Sequence, residues 1–210
     1  MNNCQIIAHR GNWNLPHPLK KNSIEAFESA LLSKYGVEID VRDQNSNLVV
    51  EHDLPINSKN YLESYFKKYT ELNSQSILAL NIKSDGLSEK INTLIQRYNI
   101  KNYFVFDMSI PDTLPYIKNG MIVFMRLSEY EEWTDLHRHA SGIWLDYFSQ
   151  YYDVKRALSK IKSTQKVCLV SPELHKFELN PNYCRELLEA RRDIYICTDN
   201  IPFWRSLEQH

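Results

Sequence analysis

The sequence predicts a compact (β/α)8 barrel, and three observations lead there. Eight short apolar runs recur along the chain, helical stretches separate most of them, and the 210 residues allow about 26 per unit, near the lower end for that fold. No Pro/Ser-rich linker, internal sequence repeat or low-complexity segment divides residues 1–210, so a single domain is expected. A doubly wound open sheet is the alternative that the same alternation permits.

In chain order, residues 5–8 supply the first strand. A helix is expected over 23–33, where Asn22 stands as its cap and Glu25, three residues on, can reach back to the cap amide. Ile24, Phe27 and Leu31 give that helix an apolar stripe. Residues 37–41 form the second strand, and Leu48, Val49 and Val50 follow a polar turn as a hairpin or a strand continuation. Strands at 77–82, 103–106, 122–125, 143–145, 167–170 and 194–196 complete the set. Helices are expected at 87–98, 154–161 and 183–191.

Composition closes off several classes of function. With 43% hydrophobic and 24% charged residues, the chain can bury a sizeable core and is neither disordered nor collagen-like. Its five glycines, Gly11, Gly36, Gly86, Gly120 and Gly142, cannot spell GxGxxG or GxxxxGK[ST], which removes Rossmann-type and P-loop chemistry. Lys plus Arg number 25 against 26 Asp plus Glu, a balance that argues against a nucleic-acid partner. Cys4, Cys168, Cys184 and Cys197 show no CxxC spacing and read as small buried hydrophobes. The opening residues carry no basic n-region or long apolar h-region, and no stretch approaches a membrane span, so a cytoplasmic protein is expected.

The active face of such a barrel lies at the C-terminal ends of its strands. His9-Arg10-Gly11 ends the first strand and Glu38-Ile39-Asp40 the second. Because strand side chains alternate, Glu38 and Asp40 share one face, where two carboxylates repel unless a positive group lies between them. A hard divalent cation resolves that repulsion. His52-Asp53 closes the next segment, and Asn81 and Lys83 end the third barrel strand. Two histidines, an acidic pair, an arginine and a lysine suit a phosphate ester: the cations neutralise phosphoryl charge while the histidines move protons. Asp107, Asp146 and Asp199 also end strands and are further candidates to reach metal or substrate.

Plainer roles exist for several of these residues. Arg10 could pair with Asp40 or Asp53, and Lys83 could snorkel at the rim. His137 and His139 stand near Glu131, Glu132 and Asp135 and read as solvated, as do His17, His175 and His210. Trp144 is either a core residue or an aromatic at the barrel mouth that shields a choline or glycerol group.

At these positions the sequence resembles the glycerophosphodiester phosphodiesterase family, whose hallmark is His-Arg-Gly, Glu-Asn-Thr before a helix with Ala-Phe, Glu-x-Asp and His-Asp. Here they read His9-Arg10-Gly11, Lys21-Asn22-Ser23, Ala26-Phe27, Glu38-Ile39-Asp40 and His52-Asp53. Asn81-Ile82-Lys83 is similar to the family's Glu-x-Lys, and Thr198-Asp199 to its closing Thr-Asp. The resemblance implies a barrel of the phosphatidylinositol phospholipase C type that hydrolyses a small-molecule or lipid-derived glycerophosphodiester to glycerol 3-phosphate and an alcohol, with Mg²⁺ or Ca²⁺. It implies His9 and His52 as the acid/base pair, with His9 read as the base, Glu38 and Asp40 as metal ligands, and Arg10 and Lys83 as phosphate contacts, while Asn81, in the place of a third carboxylate ligand, can still offer its carbonyl oxygen to the metal. Asn81 and Lys21 each stand where the family has a carboxylate, and the gap from His52 to Asn81 leaves no room for a large insertion, so an open pocket is expected. A phosphate-binding barrel without turnover, or a lyase that stops at a cyclic phosphate, are the alternatives.

Overall fold

Parallel strands buried on both faces read as short unbroken apolar runs, and these runs fold accordingly. The computed structural model describes residues 5–13, 18–191 and 193–208. Its strands are β1 (Gln5–Ala8), β2 (Gly36–Gln44), β3 (Asn47–Val50), β4 (Leu78–Ile82), β5 (Tyr103–Phe106), β6 (Phe124–Leu127), β7 (Gly142–Leu145), β8 (Lys166–Val170) and β9 (Ile194–Thr198). Eight of them pair in parallel in the order β5-β4-β2-β1-β9-β8-β7-β6, and β3 pairs antiparallel with β2. The two ends of that order meet where Val105 bridges Val123 in parallel and donates its N–H to the Ile122 carbonyl at 2.9 Å. That seam makes the sheet a nearly closed (β/α)8 barrel and sets aside the open sheet.

The helices are α1 (Ile24–Leu32), α2 (Leu62–Glu71), α3 (Ser88–Arg97), α4 (Ile110–Lys118), α5 (Val154–Lys160), α6 (Pro181–Ala190) and α7 (Ile201–Glu208). They pack their apolar stripes on the outer face of the strands in one large core. Among the described residues no helix is long and apolar enough to cross a membrane.

A second, smaller core fills the barrel itself: Ile7, Ala79, Phe104, Phe106, Phe124, Trp144, Cys168, Val170 and Cys197. Phe104 stacks on Phe124 with ring centroids 3.9 Å apart, and Phe106 on Trp144 at 3.8 Å. Gly142 makes room for this stack, since a Cβ there would come within 2.4 Å of the Phe124 ring. Trp144 is only 6% exposed, so of its two readings the structure gives the core one.

Several expectations need correction. Ser23, not Asn22, caps α1: its Oγ accepts the Ala26 N–H at 3.1 Å, while Asn22 takes a left-handed φ of 60° and turns its amide to Asp40. The strand expected at 122–125 begins at Phe124 because Ile122 and Val123 are engaged at the β5 seam. The segment after β2 is a true hairpin, closed by Asn45 and Ser46 with φ of 48° and 67°, the pair of positive values that a two-residue twisted turn requires.

His137 is buried rather than solvated. It lies in a 3-10 turn, Asp135–His139, that replaces the helix between β6 and β7; its Nδ1 accepts the Thr134 N–H at 3.1 Å and its Nε2 meets the Arg126 carbonyl at 2.9 Å. His175 is half-buried, its Nε2 2.6 Å from Asp146 Oδ1. Cys168, Cys184 and Cys197 are buried, as expected, and burial pushes the Cys184 thiol up to about 12. Cys4, His17 and His210 lie outside the described residues.

Candidate active site

Beyond β1 the chain enters a tight turn, His9–Gly11, in which Arg10 and Gly11 hold φ of 54° and 73°. A Cβ on Gly11 would stand 2.9 Å from the Ala26 carbonyl carbon and 3.0 Å from the Phe27 nitrogen, so glycine is what lets the start of α1 pack on this turn. The turn sends the His9 and Arg10 side chains apart. His9 reaches β9, its Nδ1 3.0 Å from Asp199 Oδ1, while Arg10 reaches β2, its Nε 3.0 Å from Asp40 Oδ2.

Glu38 and Asp40 share the inner face of β2, as alternation requires, and both are fully buried. Glu38 accepts the Arg10 backbone N–H at 2.9 Å on one oxygen and the Asn81 Nδ2 at 3.2 Å on the other. Burial and the neighbouring Asp40 charge raise its pKa above the ordinary glutamate value, against the lowering pull of His9 and Arg10. Asp40 accepts from Asn22 Nδ2 at 2.7 Å and returns its own N–H to the Asn22 carbonyl oxygen Oδ1 at 3.2 Å. Lys83 Nζ stands 3.7 Å from Asp40 Oδ1 and 2.8 Å from Asp107 Oδ2. Asp107 in turn accepts from Arg126 Nη1 at 2.7 Å, and Arg126 also binds Glu131. The charged groups of β2, β4, β5 and β6 thus form one chain across the barrel mouth.

On the other side of His9, Asp199 Oδ2 binds Lys21 Nζ at 2.6 Å, and that nitrogen is 3.3 Å from His9 Nδ1. Burial of Asp199 opposes its ionisation, but His9 and Lys21 outweigh it and hold its pKa below the ordinary aspartate value. Glu173 fixes this corner by accepting the Asp199 N–H at 3.0 Å and the Thr198 hydroxyl.

His52 occupies the loop between β3 and α2. Its side chain is 46% exposed and its Nδ1 lies 2.9 Å from Asp53. Arg42 anchors the base of that loop, donating from Nε to the His52 carbonyl at 2.9 Å and from Nη1 to the Lys83 carbonyl at 3.0 Å. A cleft of about 320 Å³ brings His52 together with Arg10, Lys21 and Asn22, and it is open to solvent, as the short spacing after His52 led us to expect.

Among the described residues no three His, Cys, Asp or Glu side chains cluster to hold a metal. The donors that do meet are Glu38, Asp40 and the amide of Asn81, which is the set expected from the sequence. Asp40 Oδ1 and Asn81 Oδ1 are buried without a hydrogen-bond partner, and Asp40 and Asn81 are register partners across β2 and β4. Buried oxygens left open in this way cost free energy and suit a hard cation, so this donor set fits Mg²⁺ or Ca²⁺.

Three solved structures share this architecture. A glycerophosphodiester phosphodiesterase from Parabacteroides distasonis is 20% identical, with 99% of this chain and 98% of that one covered and a TM-score of 0.71. The enzyme of that name from Agrobacterium tumefaciens is 15% identical, covers 99% and 100%, and scores 0.73. The fold is that of solved glycerophosphodiester phosphodiesterases. A third of that name, from Thermotoga maritima, is 15% identical over 98% and 91% of the two chains, with a TM-score of 0.55. No family model matches the chain, and no curated protein does.

Sequence reasoning reached His9, Arg10, Glu38, Asp40, Asn81 and Lys83; the structure links the last five in one network and sets His9 beside it, bonded to Asp199 and Lys21. It leaves Trp144 below them in the core. It also adds Glu173, which no local pattern marks, and gives Lys21 and Asn22 partners that only the fold supplies. The Asp146–His175 pair lies beyond the end of β7 and is not joined to the network by any described hydrogen bond.

Proposed function

We propose that this protein is a metal-dependent phosphodiester hydrolase that cleaves a glycerophosphodiester to glycerol 3-phosphate and an alcohol. The observation that carries this reading is the interlocked set at the barrel mouth, His9–Asp199 on one side and Glu38, Asp40, Asn81 and Lys83 on the other, with Arg10 between them and His52 on the same cleft.

Asp199 engages His9 through Nδ1, which leaves Nε2 free to take a proton. In the proposed first step His9 removes the proton of the substrate hydroxyl next to the phosphate, and that oxygen attacks phosphorus. The bond from phosphorus to the alcohol breaks, and His52 protonates the departing alkoxide. In the second step the roles reverse: His52 takes a proton from water, the new oxygen attacks phosphorus, and His9 returns a proton to the ring oxygen as the cyclic ester opens. Arg10 and Lys83 counter the phosphoryl charge. Glu38, Asp40 and Asn81 would hold the divalent ion, which supplies Lewis-acid stabilisation of the developing negative charge. The exposure of His52 suits a group that exchanges protons with water between steps.

The test is release of glycerol 3-phosphate from glycerophosphocholine, glycerophosphoethanolamine and glycerophosphoinositol, with Mg²⁺, Ca²⁺ or Mn²⁺ and with a chelator. Metal-dependent release is expected, and His9→Ala and His52→Ala should each cut it by about 10²-fold or more. Variants within about tenfold of the parent would remove the two-histidine assignment. A cyclic phosphate as the end product would make the protein a lyase. No release from folded protein with any metal would leave a phosphate-binding barrel, for which Asn81→Glu is the reversion to try.

A further inference from the structure

The connection between β6 and β7 holds only the short turn Asp135–His139, so this stretch of the barrel wall lacks the helix that covers its neighbours. A groove of about 510 Å³ lies there between the loop after β6 and α5, lined by Leu127, Trp133 and Tyr152. Aromatic side chains crowd the loops after β6 and β7: Tyr130, Phe148 and Tyr151 are 77%, 44% and 87% exposed, and the first two rings lie 6.0 Å apart. Together they offer on the order of 400 Å² of apolar surface, about half of what one side of a standard protein interface buries.

The charges on the groove select the partner. Glu132 stands on the loop side and Arg156 and Lys160 on the α5 side, and none of the three side chains makes an ion pair or hydrogen bond among the described residues. The other two acids there are engaged: Glu129 accepts the Phe148 N–H and Asp153 the Arg156 N–H, each at 2.9 Å. An acidic partner would satisfy one wall and be repelled by the other, and a basic partner the reverse. A second copy of this chain, turned about a two-fold axis laid along the groove, sets each acidic wall against the other copy's basic wall and brings the exposed rings of the two copies together. We propose that this face is the interface of a symmetric homodimer, with Glu132 of each copy facing Arg156 and Lys160 of the other. In the closed ring β6 and β7 stand opposite β1 and β2, so dimerisation leaves the cleft of His9 and His52 open and does not depend on the hydrolase reading.

Sedimentation equilibrium of the full chain between about 1 and 500 µM tests the assignment. The parent should reach twice the chain mass. Glu132→Lys, and separately Arg156→Glu with Lys160→Glu, should each raise the dimer Kd by about tenfold or more, because like charges then meet at both contacts. Mixed in equal amounts, these two variants should pair with each other about as tightly as the parent pairs with itself, since both contacts are opposite in sign once more. Tyr130→Ser with Tyr151→Ser should give a monomer that keeps the parent's circular dichroism, both positions being exposed. A parent that stays monomeric throughout, a dimer that the charge reversals leave intact, or reversed variants that keep the parent's circular dichroism and yet fail to pair with each other would overturn the proposal.

Discussion

Glu38 is buried beside Asp40, and its raised pKa records the cost of burying the two carboxylates together. An acid whose folded pKa is raised stabilises the fold in its protonated form; the contribution is complete below the ordinary glutamate pKa and is lost as pH rises through the raised value. Where Glu38 is ionised and no metal is bound, its charge therefore works against folding. Glu38→Gln should relieve it, because Asn81 can turn its unpartnered Oδ1 toward the new amide while the Gln oxygen keeps the Arg10 N–H. The expected outcome is a Tm about 2–4 °C higher than the parent at pH 8 in chelator, a smaller gap at pH 5, and loss of the stabilisation that added Mg²⁺ or Ca²⁺ gives the parent. Thermal melts at the two pH values, with and without metal, check it; a lower Tm for the variant at pH 8 in chelator would show that Glu38 is not strained by its charge. The pairing of Glu38 with Asp40 was legible because strand alternation is a local rule. The partners Lys21 and Glu173 were not, since each meets Asp199 or its N–H only after the barrel closes, and nothing nearby in sequence marks them.

At the scale of elements, the start of α1 shows how narrowly a local rule can miss. Asn and Ser are both good caps, and the sequence reading named Asn22. Tertiary contact decided otherwise: Asn22 exchanges two hydrogen bonds with Asp40, its carbonyl accepts the Tyr65 hydroxyl at 2.6 Å, and the cap passes to Ser23. Ser23→Ala should cost about 1 kcal/mol, and Ser23→Asn or Ser23→Asp should recover most of it. Urea denaturation checks this through the midpoint, with the slope unchanged. The hairpin β2–β3 and the turn that replaces a helix after β6 were harder to foresee. The first was seen as one of two possibilities, and the second depends on a histidine whose acidic neighbours in sequence made it look solvated while its two ring nitrogens are satisfied by backbone.

For the whole molecule, the rhythm of strand and helix was plain because each parallel strand is a short apolar run. What the rhythm could not show is where the barrel joins. Strands β5 and β6 share a single bridge, and the face-to-face rings of Phe104 and Phe124 span that join from inside. Phe124→Ala should destabilise the protein by about 3–5 kcal/mol, a large part of an ordinary domain's stability. Hydrogen exchange should then rise first in β5 and β6, ahead of β1, β2 and β9. Uniform acceleration over all strands would instead mean that the join is not a separate weak point.

The bond between His9 and Asp199 spans 190 residues, from the first strand to the last. During synthesis every motif residue through Lys83 leaves the ribosome long before β9 exists, so a growing or shortened chain can carry the whole early signature and still lack an oriented His9. The orientation of His9 in this barrel is therefore a certificate of completion: it is issued only when the final strand has docked against the first.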